Sequence, residues 1–428
     1  MKAVVLAAGK GTRLRPLTFT MPKHLLPVGG KPILEHVLLA IKNAGIKEVC
    51  MVVNYKAEMI KEYFSDGSKL NLKIEYLVQQ ELKGTADAIK VAEPYVNENF
   101  LVIYGDLLFT PEVLMKIISS YKQNQPSALM AVVPVENPEH YGVVKLEENW
   151  VVDLVEKPSR EEAPSNLVNA GIYVFSSEIF EKIEKTKISK RGELEITDSL
   201  KLLIAEGRKL LAEKISRKEW IDIGYPWSLL EANKWILEHS TSSILGNVES
   251  GAVLTGNVIV EEEAKIRSGA YIEGPTFIGK NSDIGPNCYI RPYTSIGKEV
   301  RIGNACEIKN SIIMDKTHIG HLSYVGDSII GENCNFGAGT KIANLRFDRK
   351  TVKMKIKDKI VDSGKRKLGV VFGDNVSTGI GALFMPGVKV GNDCWIDAGA
   401  VIRRDVPPKT FVKLRQRLEQ ASLEKTRP

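Results

Sequence analysis

Ile278-Gly279, Ile284-Gly285, Ile290-Arg291, Ile296-Gly297, Ile302-Gly303 and Ile308-Lys309 follow one another at an unbroken six-residue step, and this stretch decides the fold of the second half of the chain. An aliphatic residue at every sixth position describes a three-sided coil, each edge turning that side chain inward while glycine lets the corner close. After slips the register returns at Ile319, Val325, Ile330, Phe336 and Ile342, then at Phe372, Thr378, Phe384, Val390, Ile396 and Ile402. Sandwich strands would not keep a strict step of six through so many units. The prediction is a left-handed parallel β-helix over residues 248–406, followed by a basic tail, 407–428.

One interruption is large. Between Ala343 and Leu368 the repeat gives way to a basic stretch that opens Asn344-Leu345-Arg346-Phe347-Asp348-Arg349-Lys350 and runs on to Lys367. A loop of this length inside a regular solenoid is functional or disordered, and functional is the expectation.

Working back from the repeat, the polar stretch His239 to Ser243 marks a linker, 238–247. Before it, apolar runs at Val49–Val53, Ile74–Val78, Phe100–Tyr104 and Ala128–Val133 alternate with helical patterns at 31–45, 56–65, 84–93, 111–124 and Trp227–Leu237. Such alternation predicts an α/β domain over 1–237, Rossmann-like with a mostly parallel sheet, whose ligands bind at the carboxyl ends of the strands.

Composition narrows the class. The chain has 428 residues, 43% hydrophobic and 26% charged, as in ordinary globular proteins. Five cysteines lie far apart without a C-x-x-C pair, so neither a disulfide framework nor a zinc site is indicated. No apolar run approaches a membrane span and the first core strand starts at Met1, so a cytoplasmic protein with no membrane partner is expected. The net charge of +7 is spread among alternating acids and bases with few interleaved aromatics, which argues against nucleic acid.

The chemistry is announced at the opening of the chain, Leu6-Ala7-Ala8-Gly9-Lys10-Gly11-Thr12-Arg13-Leu14-Arg15-Pro16, with Pro22-Lys23 close behind. A buried strand runs straight into residues without bulk, so a nucleotide can approach the backbone of Leu6, Ala7, Ala8 and Gly9 closely. Arg13 and Lys23 then supply charge for phosphates. A dinucleotide fingerprint would need glycine where Leu14 stands, and a P-loop would need four residues before Gly-Lys. Asp106 ends the apolar strand 100–104 and Asp222 sits in Trp220-Ile221-Asp222-Ile223-Gly224, so two carboxylates are available for a hard-oxygen Mg²⁺ site.

Gly-x-Gly-Thr-Arg-Leu-Arg-Pro followed by Pro-Lys resembles the sugar-nucleotidyltransferase signature. The resemblance implies that Arg13 and Lys23 contact a nucleoside triphosphate, UTP or dTTP, that Gln79, Gly84 and Thr85 recognise the base, and that Gly142, Glu156, Lys157 and Asn169 hold a sugar phosphate. In the second half, Gly320-His321-Leu322-Ser323-Tyr324-Val325-Gly326-Asp327 resembles the active-site motif of glucosamine-1-phosphate acetyltransferases. His321 suits a base taking a proton from an attacking amine. The same resemblance gives Arg291 and Lys309 as sugar-phosphate ligands, Glu307 as a partner polarising His321, and Tyr324, Asn335 and Asn344 as amino-sugar ligands. It also gives Lys350 and Lys353 as functional loop lysines and Ala338 and Ala398 as acetyl-CoA contacts.

From end to end the chain is similar to the bifunctional sugar-1-phosphate nucleotidylyltransferase/acetyltransferase family in its archaeal form. That implies acetylation of glucosamine-1-phosphate, UMP transfer to the product, and a homotrimer or a multiple of one. The rivals are a glucose-1-phosphate or mannose-1-phosphate nucleotidyltransferase with a non-catalytic β-helix, and a non-catalytic scaffold of the translation-factor type. His321, Tyr324 and the basic loop weigh against the first; Arg13, Lys23, Asp106 and Asp222 together weigh against the second.

Overall fold

The computed structural model describes residues 1–96 and 98–420. It divides after Ile236 into two compact units.

The first unit is built on a nine-stranded sheet. Lys73–Val78, Glu48–Val53, Ala3–Ala7 and Phe100–Tyr104 lie side by side and parallel, with Val4 opposite both Cys50 and Val102. Ala3–Ala7 is buried throughout, as a central strand covered on both faces must be. Leu167–Phe175 then enters antiparallel between Phe100–Tyr104 and Ala128–Pro134. Its register shifts between Asn169, which still pairs with Val132, and Tyr173, so the irregularity falls just past Asn169.

Predicted helices appear as Ile33–Asn43, Ala57–Phe64, Thr85–Lys90 and Pro111–Asn124. The third stops at Lys90 because Pro94 lacks the N–H that would bond the Lys90 carbonyl. The fourth starts on Pro111, whose fixed φ suits a first helical position.

The second unit is a parallel β-helix of three sheets. Ile278, Ile296, Ile313, Ile330, Phe372 and Val390 face one another along one inner edge. The slips are rungs shortened by one residue, since Ile278 to Ile296 is an 18-residue step while Ile296 to Ile313 and Ile313 to Ile330 are 17 each.

Both ends differ from the expectation. Ser243–Ile244 already pairs with Val258–Val260, and Asn247–Val248 with Lys265–Ile266, so the coil begins inside the stretch read as linker. An end rung stacks on one side only, and Ile244 and Leu245 stay largely exposed, which is why the repeat is faint there. Phe411–Val412 pairs with Trp395–Ile396, extending the coil past residue 406. Residues 421–428 of the basic tail lie outside the described residues.

The insertion is ordered as an antiparallel hairpin, Lys353–Ile356 with Lys359–Asp362. Val352, Met354 and Ile356 alternate inward and are buried. Gly387, at φ +81°, lets this segment close in, because a Cβ there would stand 2.5 Å from the Lys353 carbonyl oxygen. All five cysteines are free and buried. Among the described residues no helix is long and apolar enough to cross a membrane.

Candidate active sites

The parallel strands of the first unit end at a cavity of about 440 Å³. Leu6, Ala8 and Gly9 line it from the opening loop. The Ala7 side chain turns into the core by alternation along the strand, so only its backbone faces the loop. Gly11 adopts φ +60°, and a Cβ there would stand 2.9 Å from Lys23 Cβ, so a bare backbone is what lets Lys23 fold over the loop.

Lys23 Nζ meets Asp106 Oδ2 directly. Burial acts most strongly, to raise the Asp106 carboxyl, but the charges beside it, Lys23 first, and its hydrogen bonds together outweigh burial and hold Asp106 below its ordinary value. Asp222, on the neighbouring strand Trp220–Asp222, has the opposite balance: burial, then the charge of Asp106, push it up to about 6. Arg13 lies 5.0 Å from the Tyr225 ring and beside Asp222. Burial and the adjacent Lys23 hold His24 down to about 3, so its ring is neutral.

Gln79 is buried at one end of the cavity and donates from Nε2 to Asp87 Oδ2 at 2.7 Å. Gly84 takes φ +127°, and a Cβ there would fall 2.4 Å from the Leu194 carbonyl oxygen. Thr85 Oγ1 accepts from the Ile196 N–H at 3.0 Å, stitching the same two segments together. Gly84→Ala is therefore expected to destabilise the first unit by about 1–3 kcal/mol, read as a lower unfolding midpoint in urea.

At the other end, Glu156 accepts from Thr197 Oγ1 at 3.2 Å and from Arg191 Nη1 at 3.3 Å. Gly142 leaves room for it, since a Cβ there would stand 2.9 Å from Glu156 Oε2. Lys157 Nζ lies 3.7 Å from Glu156, and Asn169 Nδ2 donates to the Tyr173 hydroxyl at 2.5 Å. Sequence reasoning missed His24, Arg191, Glu195, Thr197 and Tyr225, all of which line this cavity. Arg191, Glu195 and Thr197 carry no local motif. Arg191 and Thr197 reach Glu156, and Glu195 holds Arg191, only because their segment folds back over Gly84–Thr85.

On the β-helix, Glu307 and Tyr324 stack on adjacent rungs of one sheet. Arg291 Nη1 donates to Glu307 at 2.9 Å, while the buried Arg291 Nε has no partner. Lys309 Nζ lies 3.4 Å from Asp327. Asn344 Nδ2 donates to Asp327 Oδ2 at 2.5 Å and to the Tyr324 hydroxyl at 3.2 Å. Five of the residues the sequence singled out thus lie together on this face, Lys309, Asn344 and Tyr324 linked through Asp327 and the Arg291–Glu307 pair one rung from Tyr324. The expected pairing of Glu307 with His321 is not present; Arg291, on the same sheet face and bearing a full charge, takes the carboxylate instead.

His321 is exposed at the end of strand His318–His321, in a different sheet, where the coil turns its corner. That corner is a ladder: Gly339 N–H donates to the His321 carbonyl, Gly381 N–H to that of Ala338, and Gly399 N–H to that of Ile380. His321, Ala338 and Ala398 share one edge of the coil in consequence. The N–H groups of Gly337 and Gly339 are both engaged, with Thr378 and His321. Asn335 is exposed on the rung above His318, and Lys350 and Lys353 are exposed on the inserted hairpin segment. None of these three is drawn into the Tyr324 cluster.

Residues 2–239 match the family model described as nucleotidyl transferase, 272–379 the GMPPB C-terminal domain, and 369–404 the hexapeptide repeat of succinyl-transferase. The chain is 50% identical to the "Bifunctional protein GlmU" of Methanocaldococcus jannaschii over 98% of each chain. It is 46% identical to the "Bifunctional sugar-1-phosphate nucleotidylyltransferase/acetyltransferase" of Sulfurisphaera tokodaii, over 97% of this chain and 100% of that one. A UDP-glucose pyrophosphorylase crystallised with UDP-glucose is 31% identical and aligns with a TM-score of 0.51 over 56% of this chain and 99% of its own. With relatives matched along almost its whole length, and a cavity and repeat of the corresponding kinds, the chain belongs to the bifunctional sugar-1-phosphate nucleotidylyltransferase/acetyltransferase family, the GlmU proteins.

Proposed function

We propose that the protein makes UDP-N-acetylglucosamine in two steps, on separate units, in the cytoplasm. The second unit acetylates glucosamine-1-phosphate from acetyl-CoA. The first transfers UMP from UTP to the N-acetylglucosamine-1-phosphate formed, releasing pyrophosphate. The observation that carries this is the first unit's cavity, which gathers Arg13, Lys23, Asp106 and Asp222 between Gln79–Gly84 and Glu156–Lys157.

In the nucleotidyl step the sugar phosphate oxygen attacks the α-phosphorus of UTP and the bond to the β-phosphate oxygen breaks. Arg13 and Lys23 offset charge on the triphosphate, and Lys157 holds the attacking phosphate. Glu156 and Asn169 accept and donate to sugar hydroxyls, orienting the oxygen in line. Two buried carboxylates, one of which raises the proton affinity of the other, suit a divalent cation, and Asp106 and Asp222 would hold Mg²⁺. When bound, it supplies charge neutralisation between the phosphates. Lys23 would leave Asp106 for the triphosphate.

In the acetyl step the amine attacks the thioester carbonyl, the C–S bond breaks, and the thiolate departs. His321 takes the proton of the attacking amine. Ala338 and Ala398, on the same edge, leave a path for the coenzyme, and Arg291, Lys309, Tyr324, Asn335, Asn344, Lys350 and Lys353 hold the sugar phosphate.

A substrate panel tests the whole reading: pyrophosphate release with UTP or dTTP, and thiol release with amino-sugar phosphates. Thiol release without pyrophosphate release, or the reverse, would refute a bifunctional enzyme. A three-sided coil presents flat faces suited to a threefold axis, and closed cyclic symmetry is usual for soluble homo-oligomers. Light scattering should therefore give the mass of three chains or a multiple of three. An acetylation-competent monomer would overturn the assembly.

A further inference from the structure

Lys341 stands on the outer face of the sheet that carries Glu307 and Tyr324, one rung beyond Tyr324. It is exposed, and among the described residues it has no ion-pair partner. The other two cations of this face are already matched: Arg291 bonds Glu307 at 2.9 Å, and Lys309 lies 3.4 Å from Asp327. These four charges sum to zero. A sugar-1-phosphate carries close to two negative charges near neutral pH, so a neutral quartet supplies geometry for it but no net attraction.

We propose that Lys341 is a further phosphate-binding residue of the acetyl acceptor, the cation that gives this sheet face its net positive charge. Neighbouring strands lie about 4.8 Å apart, so a flexible four-carbon stem one rung from Tyr324 reaches a ligand seated on the Tyr324–Asn344 pair. Gly326, the residue paired with Lys309, has no side chain, and that lets Tyr324 and Asn344 meet above it. A Cβ at Gly326 would stand 2.5 Å from the Tyr324 hydroxyl and 2.6 Å from Asn344 Nδ2. Tyr324 leans across Gly326 to meet Asn344, and Lys341 stands beside Tyr324 on the next rung. A phosphate bound on this face exchanges with Glu307 and Asp327 for Arg291 and Lys309, while Lys341 has no acid to release.

The assignment rests on the acetyl-transfer reading above. Its test is Lys341→Met in the full chain, with Lys341→Arg as the charge-keeping control. Steady-state acetylation is followed by thiol release at varied glucosamine-1-phosphate, acetyl-CoA and salt. Lys341→Met should raise KM for glucosamine-1-phosphate about tenfold, the loss expected of one charge-assisted contact, with KM for acetyl-CoA and pyrophosphate release unchanged. Lys341→Arg should stay within about twofold of wild type, and the methionine variant should lose part of the salt dependence of that KM. A Lys341→Met enzyme with an unchanged KM overturns the role of Lys341 alone. A change confined to the KM for acetyl-CoA would place Lys341 on the coenzyme and overturn it too. Wild-type protein that acetylates no amino-sugar phosphate overturns the acetyl-transfer reading, and this assignment with it.

Discussion

Asp106→Asn and Asp222→Asn are each expected to slow pyrophosphate release by about 10²-fold or more, the scale of losing one preorganised electrostatic group, while thiol release stays at the wild-type rate. The two carboxylates lie in a cavity where burial magnifies every charge, and neither has a counterpart in the second unit. Chelation should have the same selectivity. Acetylation that falls with the metal would contradict the division of labour.

Asp222→Asn should also change stability with a defined sign. The carboxyl is held at about 6 in the folded chain against an ordinary value of 3.8, so the folded state keeps a proton that the unfolded state releases. Its stabilising contribution is complete below the unfolded value and is lost as pH rises through the folded one. The asparagine variant, which does not titrate, should therefore gain on wild type by about 2–3 kcal/mol between pH 4 and pH 7.5. Unfolding midpoints of the metal-free proteins at the two pH values measure this. An equal difference at both would sink the proposed environment of Asp222.

His321→Ala should lower acetylation by about 10²–10⁴-fold, the range for loss of a positioned general base, and leave pyrophosphate release intact. His321 sits on a corner rather than within the Tyr324 cluster, so the acceptor must span from Arg291 and Lys309 toward that corner to bring its amine to the ring. Because Glu307 is taken by Arg291, Glu307→Gln should act mainly on KM for the sugar phosphate, whereas His321→Ala should act on kcat. A His321→Ala enzyme acetylating at the wild-type rate would remove the histidine from the chemistry.

The six-residue step from Ile278 to Ile308 determined the coil by itself, because each inward position repeats a purely local demand for an aliphatic side chain. The opening loop was legible for a similar reason: strand, small residues, Arg13 and Lys23 lie close together in the chain, and alternation alone sets which of them turn into the core, as Ala7 does. Asp106 could be read as a strand end. Its relation to Asp222 could not, since it depends on the Leu107–Phe109 and Trp220–Asp222 pairing across more than a hundred residues.

Only the tertiary structure decided who partners whom. Arg191 and Thr197 converge on Glu156 because their segment returns over Gly84, and Arg291 reaches Glu307 across one rung before His321 can. Side chains of opposite charge pair with whatever the fold brings nearest. That is set by rung stacking and strand order, which no local pattern encodes. The sequence thus determined the two folds and their chemistries, and the packing of distant segments chose the contacts.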